Sequence, residues 1–337
     1  MYVLELAGQD DAFAAREAAS AASDVSLLAP GLATARGITD RGRQLAFTHR
    51  ASELVGTCEP TVDSAVATLE AAGIGRTGSV AVRAVDVRST TEIDTQRAER
   101  ELGAVLVDRG FAVDLDDPDH ELRVLFAAGE QDATDASEVS DPDEGTCALG
   151  WLAATSIRDY GERTPMDRPF AQPGSMDPME ARALVNIAGA REDRLLVDPM
   201  CGTGGVLIEG GLVGADVLGT DAQWKMVRGA RENLDAFLDP AHESALARAD
   251  ATHLPVRDGA ADAVVFDAPY GRQSKIEGEL DAVVSGALAE ARRIAPRAVV
   301  VADRSWAEAA EEAGWTVESR FERRVHRSLV RHIHVLE

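Results

Sequence analysis

From Pro178 onward the chain alternates amphipathic stretches with short apolar runs, and four of those runs lead into an aspartate. Leu195-Leu196-Val197 precedes Asp198, Val217-Leu218-Gly219 precedes Asp221, residues 245–249 precede Asp250, and residues 263–266 precede Asp267. A helical stretch from Met179 to Ala190 comes before the first run, and a fifth run, Ala298 to Val301, follows the last. Strand-length apolar runs separated by helical periods describe a doubly wound α/β sheet with parallel strands. Ligands of such sheets bind beyond the carboxyl ends of the strands, so the four aspartates are expected on one rim. A lone aspartate there is an ordinary helix cap or turn former. Four in series, each with its own flanking chemistry, call for a ligand site.

The first carboxylate opens Asp198-Pro199-Met200-Cys201-Gly202-Thr203-Gly204-Gly205. Glycines between a strand and a helix let the backbone approach a ligand and leave helix-terminal amides facing it. A dinucleotide fingerprint would need a further glycine at position 207, which is Leu207. Asp221, at the end of the second strand, is placed to accept hydrogen bonds from both hydroxyls of a ribose. The pattern fits an adenosyl ligand without a pyrophosphate. Cys201 lines the turn as a small packing residue, because no histidine is near in sequence to activate it.

The segment Asp267-Ala268-Pro269-Tyr270-Gly271 carries the chemistry. Methylating the exocyclic amine of a base is hindered by delocalisation of the nitrogen lone pair into the ring. A carboxylate and a backbone carbonyl that accept the two N–H bonds turn that lone pair toward an electrophile. Asp267 would supply the carboxylate and Ala268 the carbonyl. Pro269 stiffens the turn, and the Tyr270 ring offers a stacking face to an extruded base. Adenine N6 suits this arrangement as well as guanine N2 does.

These blocks and several others resemble the THUMP-domain tRNA (guanine-10-N2) methyltransferases, closest to the archaeal dimethyltransferase type. Arg168-Pro169-Phe170, Pro173-Gly174-Ser175-Met176 and Ala181 to Asn186 are similar to the family's motif ahead of the first strand. Asp198 to Glu209 is similar to its S-adenosylmethionine turn, Asp250 to Pro255 to its third-strand motif, and Arg324 to Ile333 to its C-terminal hairpin. Val85 to Glu92 and Glu99 to Gly103 look like its THUMP region, a module that grips the 3′ end of tRNA. The resemblance implies a class I Rossmann-like methyltransferase sheet with an N-terminal α+β THUMP-containing region. It also implies S-adenosylmethionine as cofactor and tRNA as partner, with methyl transfer to N2 of guanine 10 once or twice. Asp198, Cys201, Gly202 and Gly204 would line the cofactor, Asp221 its ribose and Asp250 its adenine amine, while Asp267, Ala268, Pro269 and Tyr270 would form the catalytic segment. Arg168, Arg324, Arg327 and Arg331 would contact RNA. The family usually has Asp-Pro-Pro-Tyr, so Ala268 is a departure that should keep the carbonyl contact on a looser turn.

On this reading the chain divides into a ferredoxin-like α+β subdomain (1–55), a THUMP domain (56–158), a linker (159–176) and the methyltransferase domain (177–337). The first half interleaves strands near 2–6, 47–49, 79–87, 113 and 122–126 with helices over 12–23, 61–72 and 92–109. Seven acidic residues and no basic one lie between Gly129 and Gly145, which reads as a solvated loop.

Charge bears on habitat more than on partners. The 337 residues hold 58 acidic and 34 basic side chains, a formal net charge of −24, and only Lys225 and Lys275 are lysines. Such a polyanion repels RNA in dilute buffer. At molar salt the Debye length falls to about 3 Å and the repulsion is screened, so a salt-adapted protein is expected, the alternative being an acidic protein from a GC-rich genome. No apolar run is long enough to cross a membrane, and Met1 to Gly8 is too short for a signal sequence. A cytoplasmic enzyme is the expectation. Cys58, Cys147 and Cys201 lie far apart without CxxC spacing, and His332 and His334 have no third ligand placed by sequence, so neither disulfide nor metal is expected. Rival readings are another RNA or DNA amino-methyltransferase and a tRNA- and cofactor-binding protein without turnover.

Overall fold

The computed structural model describes residues 1–129, 145–269, 277–326 and 329–337. The chain divides into two units, Met1–Ile157 and Arg158–Glu337.

In the first unit come β1 (Tyr2–Leu6), α1 (Asp11–Ala18), β2 (Ala22–Ser23), β3 (Ser26–Ala29), β4 (Leu32–Ala35), β5 (Gly37–Ile38) and β6 (Thr48–Cys58). There follow α2 (Val62–Ala71), β7 (Ser79–Asp86), α3 (Thr95–Asp108), β8 (Ala112–Val113), β9 (His120–Ala127) and β10 (Thr146–Thr155). One sheet in the order β3-β4-β1-β6-β10-β9-β7-β8 spans the unit. Helix α2 starts where Thr61 Oγ1 accepts the Ser64 N–H, and α3 where Asp94 accepts the Arg97 N–H. Their apolar stripes, Val62, Ala65, Leu69 and Ala98, Leu102, Leu106, pack onto Val80, Leu122, Val124 and Phe126 of the sheet.

The subdomain boundary expected after residue 55 is corrected. It falls inside β6, which pairs with β1 on one side and β10 on the other. A continuous ladder leaves no edge there at which to separate two domains. The acidic stretch expected as a loop lies, but for its two glycine ends, outside the described residues. Beyond β7, Arg88, Ser89 and Glu92 take left-handed φ values of 56°, 55° and 55°. Asp86 sustains that loop by accepting from Thr90 N, Thr91 N, Thr91 Oγ1 and Glu92 N.

The second unit contains α4 (Pro178–Ala188), β11 (Leu195–Asp198), α5 (Gly205–Leu212), β12 (Asp216–Asp221), α6 (Trp224–Phe237), β13 (Ser244–Arg248) and β14 (Ala263–Asp267). It ends with α7 (Glu277–Ile294), β15 (Ala298–Ala302), α8 (Ala307–Glu312), β16 (Val317–His326) and β17 (Leu329–Leu336). The strand order is β13-β12-β11-β14-β15-β17-β16. The first five strands are parallel, and the central ones, β11, β14 and β15, have the near-continuous apolar sequences of strands buried on both faces. At the far edge β16 and β17 form the expected C-terminal hairpin, with β17 antiparallel to both β15 and β16. Val197, Val264, Phe266 and Val300 meet Val284, Leu288 and Trp315 in the core.

Residues 158–176 are not a linker between domains. They form a strap packed into the second unit, with Tyr160, Arg163, Arg168 and Met176 buried. The Arg163 guanidinium donates to both oxygens of the buried Glu209 on α5, at 2.6 and 3.2 Å, and Arg182 of α4 reaches the same carboxylate at 2.8 Å. Asn233 of α6 clamps the strap further along. Its amide accepts the Phe170 N–H at 2.8 Å and donates to Phe170 O at 2.9 Å and Thr203 O at 2.8 Å.

Candidate active site

Strands β11 and β14 are neighbours, yet the chain between them builds β12 and β13 outward before it returns. Connections therefore leave the two carboxyl ends in opposite directions and a crevice opens between them. Asp198 ends β11 and Asp267 ends β14. Both line a cavity of about 190 Å³, with residues 172–176 of the strap and residues 200–203 of the glycine turn forming its other walls.

The turn is built for close approach. Gly202 and Gly204 have φ of 51° and 79°, where a side chain is strained. A Cβ added at Gly202 would meet nothing nearer than Met200 O at 4.0 Å, so the absent side chain leaves the backbone open to the cavity. The turn is fastened to β12, because Cys201 N donates to Thr220 O at 2.8 Å and Gly202 N to Asp221 Oδ2 at 3.2 Å. Asp221 Oδ1 accepts the Gln223 N–H at 2.8 Å, which fixes the carboxylate beside the turn. An adenosyl group fits this donor set: an open glycine backbone with a half-buried carboxylate next to it.

Asp198 is almost wholly buried. Burial pushes its carboxyl well above the ordinary value, the Met200 N–H at 3.0 Å opposes this, and the Asp221 and Asp267 carboxylates add to the rise. Converging carboxylates in a crevice favour a ligand that brings positive charge. Cys201 lines the cavity, and burial followed by the same Asp198 and Asp221 charges pushes its thiol up, as suits a packing residue. Asp250 stands two residues beyond the end of β13, exposed. Its Oδ1 accepts the Thr252 N–H at 2.9 Å and the Thr252 hydroxyl at 2.8 Å, which hold the carboxyl below its ordinary value.

Ala268 follows Asp267 at the end of β14. Its N–H donates to Val301 O at 2.8 Å, a bond that a proline could not make, and the residue is buried. Pro269 is exposed on the rim, and Tyr270 lies outside the described residues.

Two of the expected RNA contacts are corrected. Arg168 is buried, with Nε bonded to Arg163 O at 3.2 Å and Nη2 to Met176 O at 3.4 Å, so it braces the strap. Its guanidinium fills the space over Gly205, where an added Cβ would come within 2.7 Å of Nη1. Arg331 is also buried, paired with Glu180 and 3.6 Å from Asp267. Arg324 is exposed on β16 on the same side as the exposed Arg320, and Arg327 lies outside the described residues. Sequence reasoning missed Thr203 and Met226 in the cavity wall, together with Asn233 and Glu180 behind it. Asn233 had a local signal, since it sits on the apolar face of α6 in series with Val227 and Ala230.

A family model described as "RMKL-like, methyltransferase domain" matches residues 165–333. The tRNA (guanine(10)-N2)-dimethyltransferase of Methanothermobacter thermautotrophicus is 33% identical over 307 residues, 88% of this chain and 84% of that one. The protein of the same name in Methanocaldococcus jannaschii is 28% identical over 323 residues, 89% of this chain and 84% of that one. Among solved structures, TrmN from Thermus thermophilus aligns over 100% of this chain and 99% of that chain, with a TM-score of 0.48 and 20% identity. With a methyltransferase model covering half of its length and relatives aligned over most of it, the chain belongs to the tRNA (guanine(10)-N2)-dimethyltransferase family.

Proposed function

We propose that this protein transfers methyl groups from S-adenosylmethionine to N2 of guanine 10 in tRNA, giving the mono- and then the dimethylated base. The observation that supports the reading is that Asp267, which opens Asp267-Ala268-Pro269, lines the same cavity as Asp198 and the glycine turn, in a chain of this family. The cofactor supplies an electrophilic methyl group on a sulfonium. Asp198, Cys201, Gly202 and Gly204 line its place, Asp221 receives the ribose hydroxyls and Asp250 the adenine amine. Asp267 and the Ala268 carbonyl accept the two N–H groups of guanine N2, which directs the nitrogen lone pair at the methyl carbon. Asp267 then stands next to the proton that the alkylated amine must shed. Pro269 fixes the approach, and Tyr270 provides a stacking face.

The first unit serves in this proposal as a THUMP-type anchor for the tRNA 3′ end, and the exposed Arg320 and Arg324, with the exposed Glu322 between them on the same face, meet the RNA backbone. Among the described residues no helix is long and apolar enough to cross a membrane. The enzyme works beside its tRNA in the cytoplasm, in a salt-rich medium that screens its charge. Purified protein, unmodified tRNA and labelled S-adenosylmethionine in molar KCl, followed by nucleoside mass spectrometry, test the reading. N2-methyl- and N2,N2-dimethylguanosine are expected, and both should vanish when position 10 is changed to adenosine. Methyl on adenine N6 instead would replace this reading with its rival.

A further inference from the structure

Asp267 has a cationic partner that the sequence places 64 positions away. Arg331, on β17, is only 4% exposed. Its Nη1 donates to Glu180 Oε2 on α4, and its Nη2 lies 3.6 Å from Asp267 Oδ2. Glu180 is itself buried and has Arg323 Nε, from β16, 3.7 Å from its other oxygen. The guanidinium is thus held at one end by a carboxylate outside the cavity and faces the reactive carboxylate at the other.

This arrangement meets two needs. The crevice gathers Asp198, Asp221 and Asp267 in a protein of net charge −24, so a buried cation beside Asp267 offsets local repulsion. A carboxylate that must receive an amine N–H also has to keep one orientation, and a misplacement of about 1 Å can cost on the order of 100-fold in rate. Arginine suits the task because its planar fork reaches two acceptors at once, whereas a lysine ammonium is a single point. At 3.6 Å the contact between Arg331 Nη2 and Asp267 Oδ2 is an ion pair.

We propose that Arg331 is a positioning residue for methyl transfer: pinned by Glu180, it holds the Asp267 carboxylate in the orientation that receives the exocyclic amine. The proposal rests on the functional reading above, and it replaces the expectation that Arg331 grips the RNA backbone.

Three single variants, Arg331→Met, Arg331→Lys and Glu180→Gln, and the double variant of Arg331→Met with Asp267→Asn test it. Arg331→Met should lower kcat roughly 100-fold while KM for tRNA and Kd for the cofactor stay within about 2-fold. Arg331→Lys should recover part of kcat, and Glu180→Gln, which alters little volume, should lower kcat by about 10-fold with KM unchanged. Independently of activity, urea midpoints of wild type, Arg331→Met, Asp267→Asn and the double variant should be non-additive. A raised KM for tRNA with kcat intact would restore the RNA-backbone role and overturn the proposal. Unchanged kcat per folded molecule, or additive midpoints, would overturn it too. If Arg331→Met does not fold, the lysine and glutamine variants decide by the same criteria. If the wild type makes no N2-methylguanosine, the functional reading fails, whereas the midpoint cycle still reports whether Arg331 and Asp267 are coupled.

Discussion

Replacing Arg163 by methionine removes one partner of a buried ion pair while keeping most of the side-chain volume. Glu209 is fully buried on α5, and Arg163 gives it two hydrogen bonds, with Arg182 supplying a further contact. Breaking a buried pair from one side costs about 3–5 kcal/mol, and here the fully buried Glu209 loses both of its hydrogen bonds from Arg163 and keeps only the Arg182 contact at 2.8 Å. The Arg163 guanidinium also lies 5.2 Å from the centre of the Tyr160 ring, and that cation–π contact is lost as well. For a unit of this length each kcal/mol moves the melting midpoint by about 2–4 °C, so a fall of roughly 6–20 °C is expected. The same strap continues into the cavity wall at 172–176, so calorimetry should show weaker cofactor binding even where the variant is folded. Replacing all three charged groups together, as Arg163→Met, Arg182→Met and Glu209→Leu, should recover most of the stability, since no stranded charge remains. A single variant melting within about 2 °C of wild type would refute the reasoning, because a pair worth so little could not be what fastens the strap.

Three further outcomes follow from the site. Asp221→Ala removes the acceptor proposed for two ribose hydroxyls, each charge-assisted bond being worth about 1.5–3 kcal/mol, so the cofactor Kd should rise by on the order of 100-fold or more, and an unchanged Kd removes Asp221 from the ribose. Asp198 has its folded value raised above the ordinary 3.8, so the folded state binds this proton more tightly than the unfolded state and its contribution to stability falls as pH climbs from 3.8 through the raised value. Asp198→Asn should therefore gain in urea midpoint over wild type as pH rises across that window, and a difference independent of pH would contradict the burial effect. With net charge −24, activity on tRNA should increase from dilute to molar KCl, against the usual counterion-release slope, and an optimum in dilute salt would exclude salt adaptation.

What the sequence disclosed was local, and what it hid was long-range. The runs into Asp198, Asp221 and Asp267 are legible because a buried parallel strand must be apolar and its ligand-facing end polar, so strand and site are written within a few residues of each other. The strap was misread as a linker, since its three prolines signal irregular backbone while nothing local reveals that Arg163 has Glu209 as partner 46 positions on. The burial of Arg168 and Arg331 is hidden for the same reason: in sequence, an arginine that meets RNA and one that braces the fold look alike until the fold brings its partners, the Arg163 and Met176 carbonyls for Arg168 and Glu180 for Arg331. Cys58 and Cys147 show the limit of spacing rules. Far apart in sequence, they face each other across β6 and β10, where their hydrogen bond lowers Cys58 to about 7. Strand β10 escapes the sequence reading because Thr146 to Thr155 lacks clean alternation, and pairing with β6 and β9 makes it a strand.

The division of labour between the two units can be tested by cutting where the structure divides. A fragment beginning at Arg158 keeps the whole strap, the cavity lined by Asp198 and Asp267, and Asp221 beside the glycine turn, so it should fold and bind S-adenosylmethionine as the full chain does. A fragment beginning at residue 177 leaves Glu209 with Arg182 but without Arg163 and loses the 172–176 wall, so it should be less stable and should not bind S-adenosylmethionine. The longer fragment should still methylate full tRNA poorly. It carries 30 acidic against 22 basic residues and therefore repels the substrate outside the face of Arg320 and Arg324. If the first unit holds the tRNA 3′ end, it turns delivery of guanine 10 into an intramolecular event whose benefit depends on that end being present. Trimming the 3′ end should then cost the full chain most of its rate and the fragment almost none. Equal sensitivity of the two proteins would show that the first unit is not the anchor, and the THUMP assignment would fall with it.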